Sequence, residues 1–574
     1  MHACGATFEK VVGGVSDGKV LVLGDDTRSF LAVVRSLGRR GIAVHAAPAN
    51  FRSAALRSRF VAKIHDLPPW IGDGSEWLAA IEVLLRAERF DLVIPCDETT
   101  LLPLQHYRNR LTTWARLAIP DDEAINVLFD KHHTRELARQ VGVPVAPGRL
   151  LRSDDTAEAV LAELGSPVVV KSRCSYSLET LTLRSKVELL GDPALLQRTL
   201  SERVPDETVI EQFFEGQGVG VSLLASGGRV LQAFQHHRVH ELGGASFYRV
   251  SAPLGSDLLA ACTAIVANIQ YTGLAMFEFK LNKNSTWILL EINARPWGSM
   301  PLPIALGVDF PYRWYRLLTA GEEIPAVSYR VGVFGRNLVP DLRAAVAEAR
   351  QLSPPARIRF AMWRAAELLR PLTRREVHDL LVSDDPRPGL AELAESAMKA
   401  WRRTVHLLPG TLTWKRNIAR KRVREMLRGD AQKPRILFVC QGNICRSPFA
   451  EAVARSRLGN KIIVSSAGMI PQPGRRTPDL GLKAAAAYGI DLSLHRSAWL
   501  THEMLDAAAL VIVFDQTNCT ALFNRYPHAK VPVIALGQFI GLANISDPID
   551  GDLTAFQLVY EQVASGVDEL ATML

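Results

Sequence analysis

Short apolar runs alternate with longer amphipathic stretches over the first part of the chain. The run at residues 20–23 is followed by Gly24 and then by a helix-like pattern that extends to about residue 40. Further strand-like runs begin at residue 41 and cover residues 90–95. Strands that alternate with helices in this way are typical of a parallel α/β sheet. We therefore predict a small α/β domain over residues 1–125.

The pattern changes after residue 125, where one helix is followed by a series of apolar runs. The helix begins after Asp130 and ends near residue 142, and a β run at residues 167–170 leads into Lys171. Five further runs are predicted strands, several of them joined by turns that contain Gly or Asn. They cover residues 208–214, 219–225, 230–235, 273–280 and 287–293. We predict an α+β domain over residues 126–335.

The last two of these strands carry the oxygen ligands of a predicted metal site. Glu278 lies on the first strand, and Glu291 and Asn293 lie on the second. If the strands pair as a hairpin, both carboxylates can point to one face, with Asn293 one pleat further along. Carboxylate and amide oxygens are the ligands that hold Mg²⁺ under the phosphates of a nucleotide. The two strands therefore predict a magnesium site.

Three basic residues on separate segments can accompany such a nucleotide. Lys131 and Lys171 can contact phosphates as point charges, and Arg295 can steady a transferring phosphoryl group. Each residue taken alone also has an ordinary explanation, because lysines commonly extend their charge into solvent along a surface. Only their combination with the carboxylates favours a functional site.

Together these segments resemble the ATP-grasp superfamily of carboxylate–amine ligases over roughly residues 18–335. The matching segments are DK at 130–131, VVVK at 168–171, IEQFFEG at 210–216, FEF at 277–279 and LEINAR at 290–295. The resemblance implies an α/β pre-domain with two α+β lobes, bound ATP and Mg²⁺, and ligation of a carboxylate to an amine. It implies phosphate contacts by Lys131 and Lys171, adenine contacts by Glu211, Gln212 and Phe213, magnesium ligation by Glu278, Glu291 and Asn293, and Arg295 beside the reacting group.

One segment departs from the family pattern. The loop after Lys171 reads SRCSYS and contains no glycine, whereas the family usually has a flexible Gly-rich flap over the phosphates there. Two hypotheses therefore stay open for this region. It is either a working ligase, or a non-catalytic nucleotide sensor that regulates the rest of the chain. The segment 235–244, with three histidines, is interpreted as a polar active-site loop.

A second motif, RILFVCQGNICRSP at residues 435–448, lies late in the chain. Its apolar run leads into Cys440, and a short loop follows before Arg446 and Ser447 begin a helix. Such a loop points backbone N–H groups at one place, and the helix dipole adds positive potential that suits a phosphate. The same field favours a thiolate nucleophile at Cys440, and Arg446 can bind two phosphate oxygens.

From about residue 434 to 574 the chain resembles the low-molecular-weight protein tyrosine phosphatases. The resemblance rests on this motif together with SSAG at 465–468, YGI at 488–490 and DP at 547–548. It implies a small parallel-sheet α/β domain that needs no cofactor and hydrolyses a phosphorylated protein or small phosphomonoester. It implies Cys440 as the nucleophile that forms a phosphocysteine, Arg446 as the phosphate ligand, Asp547 as the acid and base, and Asn443, Ser447 and Cys445 in support of the loop.

Two features of this region leave its substrate open. The family commonly has aromatic residues after the Asp-Pro pair, whereas Ile549 and Asp550 follow here. Arsenate reductases share the phosphate loop but need a further cysteine pair, for which only Cys519 is present nearby. An arsenate reductase-like domain therefore stays as an alternative to the phosphatase.

The segment between the two regions carries the charge excess of the chain. Residues 340–432 contain 19 basic and 11 acidic residues, which accounts for the net charge of +8. We predict a basic helical connector over residues 336–432, followed by the phosphatase domain over 433–574. The stretch 414–424 has six basic residues and no acid. It is interpreted as a solvated helix or as a contact with an anionic membrane surface, while no motif favours nucleic acid.

The whole chain is predicted to be an α/β protein of 574 residues in several domains;. No apolar run approaches the length of a transmembrane helix, and the first 19 residues lack the apolar centre of a signal peptide. The seven cysteines form no disulfide or zinc pattern;. We therefore predict a cytoplasmic protein, which could associate peripherally with a membrane.

Overall fold

The computed structural model describes residues 18–181, 187–242, 245–367, 370–373, 375–405, 417–418, 420–421, 423, 433–459 and 462–573. The chain divides into two units. The first comprises residues 1–48, 57–66 and 81–389, and the second comprises residues 49–56, 67–80 and 390–574. The first unit holds the predicted nucleotide site, and the second holds the predicted phosphate loop.

Five parallel strands form the N-terminal sheet. They are β1 (Lys19–Leu23), β2 (Ala43–Ala47), β3 (Val61–Ile64), β4 (Leu92–Pro95) and β5 (Arg116–Leu117), in the order β3-β2-β1-β4-β5. The helices of this region are α1 (Ser29–Arg39), α2 (Ser75–Glu88), α3 (Glu98–His106) and α4 (Arg108–Leu111). The apolar residues of β1 and β4 are buried, as the continuous apolar runs require for central parallel strands;. The predicted parallel α/β fold is confirmed here.

A smaller antiparallel sheet follows two helices. The helices are α5 (Asp122–Leu128) and α6 (Lys131–Gln140). The sheet has the order β6-β9-β7-β8 and consists of β6 (Gly148–Leu150), β7 (Val168–Ser172), β8 (Val187–Leu190) and β9 (Thr208–Gln212), with helices α7 (Ala157–Leu164) and α8 (Pro193–Glu202). Helix α6 begins after Asp130 because the side chain of that residue accepts hydrogen bonds from the N–H groups of His132 and His133;.

A seven-stranded sheet carries the predicted metal ligands. Its order is β14-β13-β10-β11-β12-β15-β16. The strands are β10 (Gln217–Ser226), β11 (Arg229–Leu242), β12 (Ala245–Ala252), β13 (Gly273–Leu281), β14 (Trp287–Asn293), β15 (Phe334–Arg336) and β16 (Glu376–His378). The helices between and after them are α9 (Ser256–Asn268), α10 (Pro301–Ala305), α11 (Phe310–Ala320), α12 (Leu338–Gln351), α13 (Pro354–Glu367) and α14 (Arg387–Val405). All strand pairs are antiparallel except β15 with β16.

Residues 336–385 differ from the basic helical connector that the sequence predicts. Strands β15 and β16 extend the seven-stranded sheet, so this part of the segment belongs to the first unit. Arg336 is fully buried and donates to Glu376 at 2.7 Å, and Arg249 donates to Asp379 at 2.6 Å. The Arg-rich composition therefore supplies buried ion pairs here. Three-residue strands lined by charged residues have no apolar alternation, which is why the pattern did not reveal them.

Four parallel strands form the sheet of the second unit, in the order β18-β17-β19-β20. They are β17 (Arg435–Cys440), β18 (Ile463–Gly468), β19 (Leu510–Val513) and β20 (Val533–Ala535). The helices are α15 (Arg446–Leu458), α16 (Asp479–Ala486), α17 (His502–Asp506), α18 (Gln516–Arg525) and α19 (Leu553–Ala571). The predicted small parallel-sheet domain is confirmed. Strand β17 is central, so Cys440 lies at the carboxyl edge of the sheet, where parallel α/β proteins bind ligands.

Candidate active sites

The phosphate loop connects the end of β17 to the start of α15. Cys440 is the last residue of the strand and is 2% exposed. Its Sγ lies 3.1 Å from the Oγ of Ser447 and accepts a hydrogen bond from the N–H of Asn443 at 3.2 Å. Such contacts stabilise a sulfur that carries negative charge. The loop therefore holds the thiol in place and offers it donors.

Asn443 holds the loop in shape. Its φ is 52°, in the left-handed region that Asn tolerates better than most residues;. Its side-chain amide donates to Ser447 Oγ and to Ser466 Oγ, both at 2.8 Å, while its Oδ1 accepts from the N–H of Ala498 at 2.7 Å. The Nε2 of His495 lies 2.8 Å from its backbone oxygen. Four contacts thus stabilise one strained residue, and they tie the loop to β18.

Arg446 is the buried cation of this site. The residue is 1% exposed. Its Nη1 donates to Asp515 at 2.5 Å and to the carbonyl oxygen of Ile545 at 3.0 Å. The other Nη donates to Asp547, so the predicted acid and the predicted phosphate ligand are adjacent. Among the described residues, no partner is found for the Nε of Arg446. This nitrogen is therefore able to donate to a phosphate oxygen.

Cys445 differs from Cys440 in its environment. Burial raises the pKa of its thiol, and the nearby Asp547 carboxylate adds to that rise. Its backbone oxygen accepts a hydrogen bond from Tyr560 at 3.3 Å. A thiol held neutral is a poor nucleophile. Cys445 is therefore not suited to act as the nucleophile.

Several residues of this site were not predicted from the sequence. They are Ser466, Arg475, His495 and Asp515. Asp515 follows strand β19 after one residue, and an acidic residue at the carboxyl end of a parallel strand is a signal that could have revealed it. Arg475 donates to the carbonyl oxygen of Gly442 at 2.7 Å, from a loop that has no comparable signal.

Gly468, the last residue of β18, packs directly against the backbone of the phosphate loop. A Cβ at this position would lie 2.9 Å from the backbone nitrogen of Asn443 and from the backbone carbon of Gly442. Real Cβ atoms do not approach backbone so closely. The glycine therefore allows the phosphate loop to pack against the end of β18.

In the first unit, strands β13 and β14 bring the predicted magnesium ligands together. Glu278 pairs directly with Glu291, and Asn293 pairs with Met276 one step further along. The side-chain amide of Asn293 donates to Glu278 at 3.3 Å and to Glu291 at 3.4 Å. The predicted hairpin geometry is confirmed. A register shift after Glu278 places the two carboxylates opposite each other;.

The two carboxylates fit a divalent cation. Burial raises the pKa of Glu278 to about 7, and the Glu291 carboxylate adds to the rise while Arg238 opposes it. A cation bound between two adjacent, half-buried carboxylates would offset their repulsion;. Asn293 is less available as a metal ligand, because its Oδ1 already accepts a hydrogen bond from Arg295 at 3.0 Å. The oxygen donors at Glu278 and Glu291 therefore suit Mg²⁺.

Arg295 has a partner that the sequence did not suggest. Its Nη2 donates to Glu98 at 2.8 Å, and Glu98 is the first residue of α3 in the N-terminal sheet region. No partner is found among the described residues for the Nε of Arg295, which is buried. Glu98 is separated from Arg295 by 197 positions. No local pattern connects residues at such a distance along the chain.

A cavity of about 420 Å³ lies beside these residues. Its lining includes Lys131, Glu98, Glu291 and Asn293, and also Ser175 from the glycine-free loop. The Nζ of Lys131 donates to Ser175 at 2.9 Å, and burial lowers the pKa of Lys131. A cavity of this size is in the range of small-molecule sites. The structure thus groups one predicted phosphate lysine with two of the three predicted metal ligands, Glu291 and Asn293.

Lys171 and Glu211 form a separate buried cluster on the small sheet. The Nζ of Lys171 lies 2.5 Å from one Glu211 oxygen, and Arg135 donates to the other. Both Lys171 and Glu211 are less than 10% exposed. Gln212, the last residue of β9, is exposed, and Phe213 is half-buried with the Nζ of Lys280 6.0 Å from its ring centroid. None of these residues lines the cavity that Lys131 lines.

Two further segments can be placed. Residues 235–242, interpreted as a polar active-site loop, belong to strand β11, where His236 is buried against Gly220. Most of the basic stretch 414–424 lies outside the described residues. Of its described members, Arg420 forms an ion pair with Glu569 at 3.1 Å, and Val423 is buried in the core of the second unit. Among the described residues, no helix is both long and apolar enough to cross a membrane.

Comparison with known proteins identifies the second unit. The family model for low molecular weight phosphotyrosine protein phosphatase matches residues 435–574. "Probable low molecular weight protein-tyrosine-phosphatase EpsP" of Ralstonia nicotianae is 37% identical over 133 residues, which cover 23% of this chain and 90% of the relative. The chain belongs to the low-molecular-weight protein tyrosine phosphatase family. It is therefore an enzyme of the phosphatase type.

This phosphatase family member is also similar to a relative that is named for a different phosphorylated residue. A "Protein-arginine-phosphatase" of Geobacillus stearothermophilus is 31% identical over 142 residues, which cover 24% of this chain and 95% of the relative. The relatives thus include proteins named for two different phosphorylated residues.

The first unit matches a different family. The model described as ATP-grasp in the biosynthetic pathway with Ter operon matches residues 205–334, which include Glu211, Glu278 and Glu291. The solved structure of biotin carboxylase from Campylobacter jejuni is similar at 17% identity with a TM-score of 0.44, covering 55% of this chain and 74% of that chain. The predicted combination of an ATP-grasp domain with a phosphatase domain is confirmed by the two family models.

Proposed function

We propose that the second unit hydrolyses phosphorylated side chains through a covalent phosphocysteine at Cys440. The observation that supports this proposal is the set of contacts around the sulfur. Ser447 and the N–H of Asn443 lie within 3.2 Å of Sγ, and Arg446 and Asp547 are adjacent. Nucleophile, phosphate ligand and acid are thus present in one loop and its neighbour.

In the proposed reaction, the Cys440 thiolate attacks phosphorus and a sulfur–phosphorus bond forms. The bond from phosphorus to the leaving group breaks, and Asp547 donates a proton to that group. Water then attacks the phosphocysteine while Asp547 accepts a proton, and inorganic phosphate leaves. Arg446 and the loop N–H groups would stabilise the charge on the phosphate oxygens. No step uses a cofactor.

The substrate class proposed is a phosphorylated protein. The relatives are named for phosphotyrosine and phosphoarginine, and Ile549 with Asp550 follows the Asp547-Pro548 pair in place of aromatic residues. A peptide pair that differs only in phosphotyrosine or phosphoarginine would assign the class. The peptide with the higher kcat/KM would identify phosphotyrosine or phosphoarginine as the preferred substrate residue.

The test is phosphate release from p-nitrophenyl phosphate by the full chain and by Cys440→Ser. We expect the variant to lose activity by about 10⁴-fold or more, because the nucleophile is removed. Cys519→Ser is the matched control. Cys519 lies on α18, outside the phosphate loop, so this variant is expected to retain activity. Retained hydrolysis in Cys440→Ser would contradict the proposal. Arsenate reduction supported by a dithiol, lost in both variants, would favour the arsenate reductase alternative.

We also propose that the first unit is an ATP- and Mg²⁺-dependent ligase that joins a carboxylate to an amine. The observation that supports this is the opposed pair Glu278 and Glu291 beside a cavity that Lys131 lines. Glu278 and Glu291 would hold Mg²⁺, which when bound neutralises phosphate oxygens of ATP. Lys131 and Lys171 would contact phosphates, and Arg295 would orient the reacting carboxylate. Gln212, Phe213 and Asn293 remain predicted contacts.

The experiment is ADP formation by Cys440→Ser protein with ATP, Mg²⁺ and a pool of amino acids and carboxylates. The Cys440→Ser background removes phosphate release by the phosphatase site. We expect ADP to accumulate, and Glu291→Ala to prevent it because half of the carboxylate pair is lost. ATP binding without ADP formation across the pool would instead favour the nucleotide sensor. Glu202→Ala, a change at an exposed helix position, serves as the control.

A further inference from the structure

Three metal-ligating side chains meet on the N-terminal sheet, and none of them belongs to either proposed active site. His45 lies on β2, His65 follows β3, and Glu88 is the last residue of α2. The Nδ1 of His45 is 2.9 Å from the Nε2 of His65 and 3.8 Å from a Glu88 oxygen. One donor atom from each residue lies within 4.8 Å of the others. Among the described residues, no other such group of three was found.

We infer that His45, His65 and Glu88 form a binding site for Zn²⁺ or a chemically similar transition metal. Tetrahedral zinc with bonds near 2.0–2.1 Å places its ligand atoms about 3.3 Å apart. The separations of 2.9 Å and 3.8 Å lie on either side of that value, and the donor atoms of His65 and Glu88 are no more than 4.8 Å apart. Side-chain movements of about 1 Å would therefore bring all three donors onto one ion, with a fourth position open to water.

The local backbone favours this convergence. The register between β2 and β3 shifts between Val44 and His45, which places His45 opposite Lys63. Strand β3 is the edge strand of the sheet, where such irregularities re-aim side chains;. The ring of Phe90 packs edge-on against both imidazoles, with centroids 5.2 Å and 6.2 Å away. These contacts hold the rings before any ion binds.

The contact between the rings of His45 and His65 is compatible with metal binding. The close contact between the two imidazoles requires one shared N–H. On metal binding, that proton would move to the other nitrogen of its own ring, so no proton need be released.

Two lysines beside Glu88 decide which metals fit. Lys63 donates to one Glu88 oxygen at 2.5 Å, and Lys19 donates to the other at 3.1 Å. They orient the carboxylate, but their charges oppose a cation. Mg²⁺ and Ca²⁺ prefer several oxygen ligands and would gain little here, whereas Zn²⁺ and Co²⁺ bind imidazole well. The site therefore differs in chemistry from the pair Glu278 and Glu291.

The test is Co²⁺ and Zn²⁺ binding to the full, tag-free chain after chelator treatment and dialysis. Mg²⁺ is kept in excess to occupy oxygen sites, and a Cys440→Ser/Cys174→Ser background removes an active-site thiol and an exposed one. We expect one equivalent of Co²⁺ to give the intense visible absorption of a four-coordinate ion. Calorimetry with Zn²⁺ gives the affinity, and thermal melting should show stabilisation by Zn²⁺.

Variants of the ligands and of the neighbouring lysine should change the Zn²⁺ affinity in opposite directions. We expect His65→Gln and His45→Gln each to weaken Zn²⁺ binding by at least about tenfold, because one ligand is lost. Lys63→Met should strengthen binding several-fold, because a nearby positive charge is removed. His106→Gln, an exposed histidine of the same unit, should leave binding unchanged. Melting curves without metal check that each variant folds.

Two outcomes would overturn the inference. One is the absence of a visible Co²⁺ spectrum at concentrations up to the millimolar range. The other is a spectrum that both His65→Gln and Lys63→Met leave unchanged, since the ion would then be bound elsewhere. A variant of Glu88 is not needed for the test, because the histidine variants should weaken Zn²⁺ binding and the lysine variant should strengthen it.

Discussion

The phosphate loop and the carboxylate cluster each contain an arginine whose Nε is buried, but they are assembled in different ways. Arg446 lies within eight positions of Cys440 and of the two residues that contact the sulfur of Cys440, Asn443 and Ser447. Arg295 contacts Asn293, which is local, and Glu98, which is 197 positions away. In both arginines the Nε has no partner among the described residues. Cys440, Asn443, Arg446 and Ser447 thus come from one local motif. The partners of both arginines, Asp515 and Asp547 for Arg446 and Glu98 for Arg295, are supplied by the tertiary fold.

This difference determines how each site can be damaged. The phosphate loop depends on backbone conformation within one short segment, above all on the left-handed Asn443. The carboxylate cluster depends on the register of β13 with β14, and a shift of one residue would turn one carboxylate to the opposite face;. Local changes should therefore affect the first site strongly, and changes in packing should affect the second.

The largest expected effect is that of Arg446→Lys on phosphatase activity. We expect kcat/KM for p-nitrophenyl phosphate to fall by about 10³-fold, or about 4 kcal/mol, because lysine lacks the planar fork that binds two phosphate oxygens. The measurement is steady-state kinetics. Arg457→Lys is the control, since Arg457 forms an exposed ion pair with Asp568. A loss smaller than tenfold would show that charge alone is sufficient.

A second large effect is expected from Glu211→Ala in the small sheet. The change leaves Lys171 and Arg135 buried without their carboxylate, which typically costs about 3–5 kcal/mol;. Hydrogen exchange of the amides in β7 and β9 measures the loss of stability locally. Glu202→Ala removes an exposed pair with Arg198 and should cost less than about 1 kcal/mol;. Equal protection in the two variants would contradict the importance of the buried cluster.

A smaller effect on the phosphate loop should come from Asn443. We expect Asn443→Ala to lower kcat by about 30-fold, or about 2 kcal/mol, since side-chain hydrogen bonds are lost and alanine disfavours the left-handed conformation. Asn443→Gly keeps that conformation accessible but removes the same hydrogen bonds;. If glycine restores most of the activity, the backbone conformation rather than the hydrogen bonds holds the loop.

The smallest effect concerns acid stability of the large sheet. Burial lowers the pKa of His236 well below its ordinary value, so the folded protein keeps this imidazole neutral. The unfolded chain binds a proton below about pH 6.5, so stability should fall by about 1.4 kcal/mol per pH unit from there toward the folded pKa. His236→Gln should reduce this slope in urea unfolding at pH 7, 6 and 5. An unchanged slope would assign the acid sensitivity to other groups.

Sequence reasoning succeeded where function lies in consecutive residues or in paired strands. The loop from Cys440 to Ser447 was recognisable because its residues lie on one strand, one turn and one helix start. Glu278 and Glu291 were placed correctly because two adjacent apolar runs with a turn between them specify a hairpin. It differed from the structure for residues 336–385, which were predicted as part of a basic helical connector but contain buried arginines and a strand. Charged residues buried as ion pairs resemble exposed ones in any pattern of polarity.

By itself the sequence determined the two families, the phosphate loop with its predicted nucleophile and acid, and the strand pair that carries two carboxylates. Only the tertiary structure decided that Glu98 meets Arg295, that Asp515 meets Arg446, and that His45, His65 and Glu88 converge. The physical reason is that periodicity reports burial of apolar side chains on one element. Contacts between polar side chains on different elements depend on how those elements pack, and they leave no periodic signal in the chain.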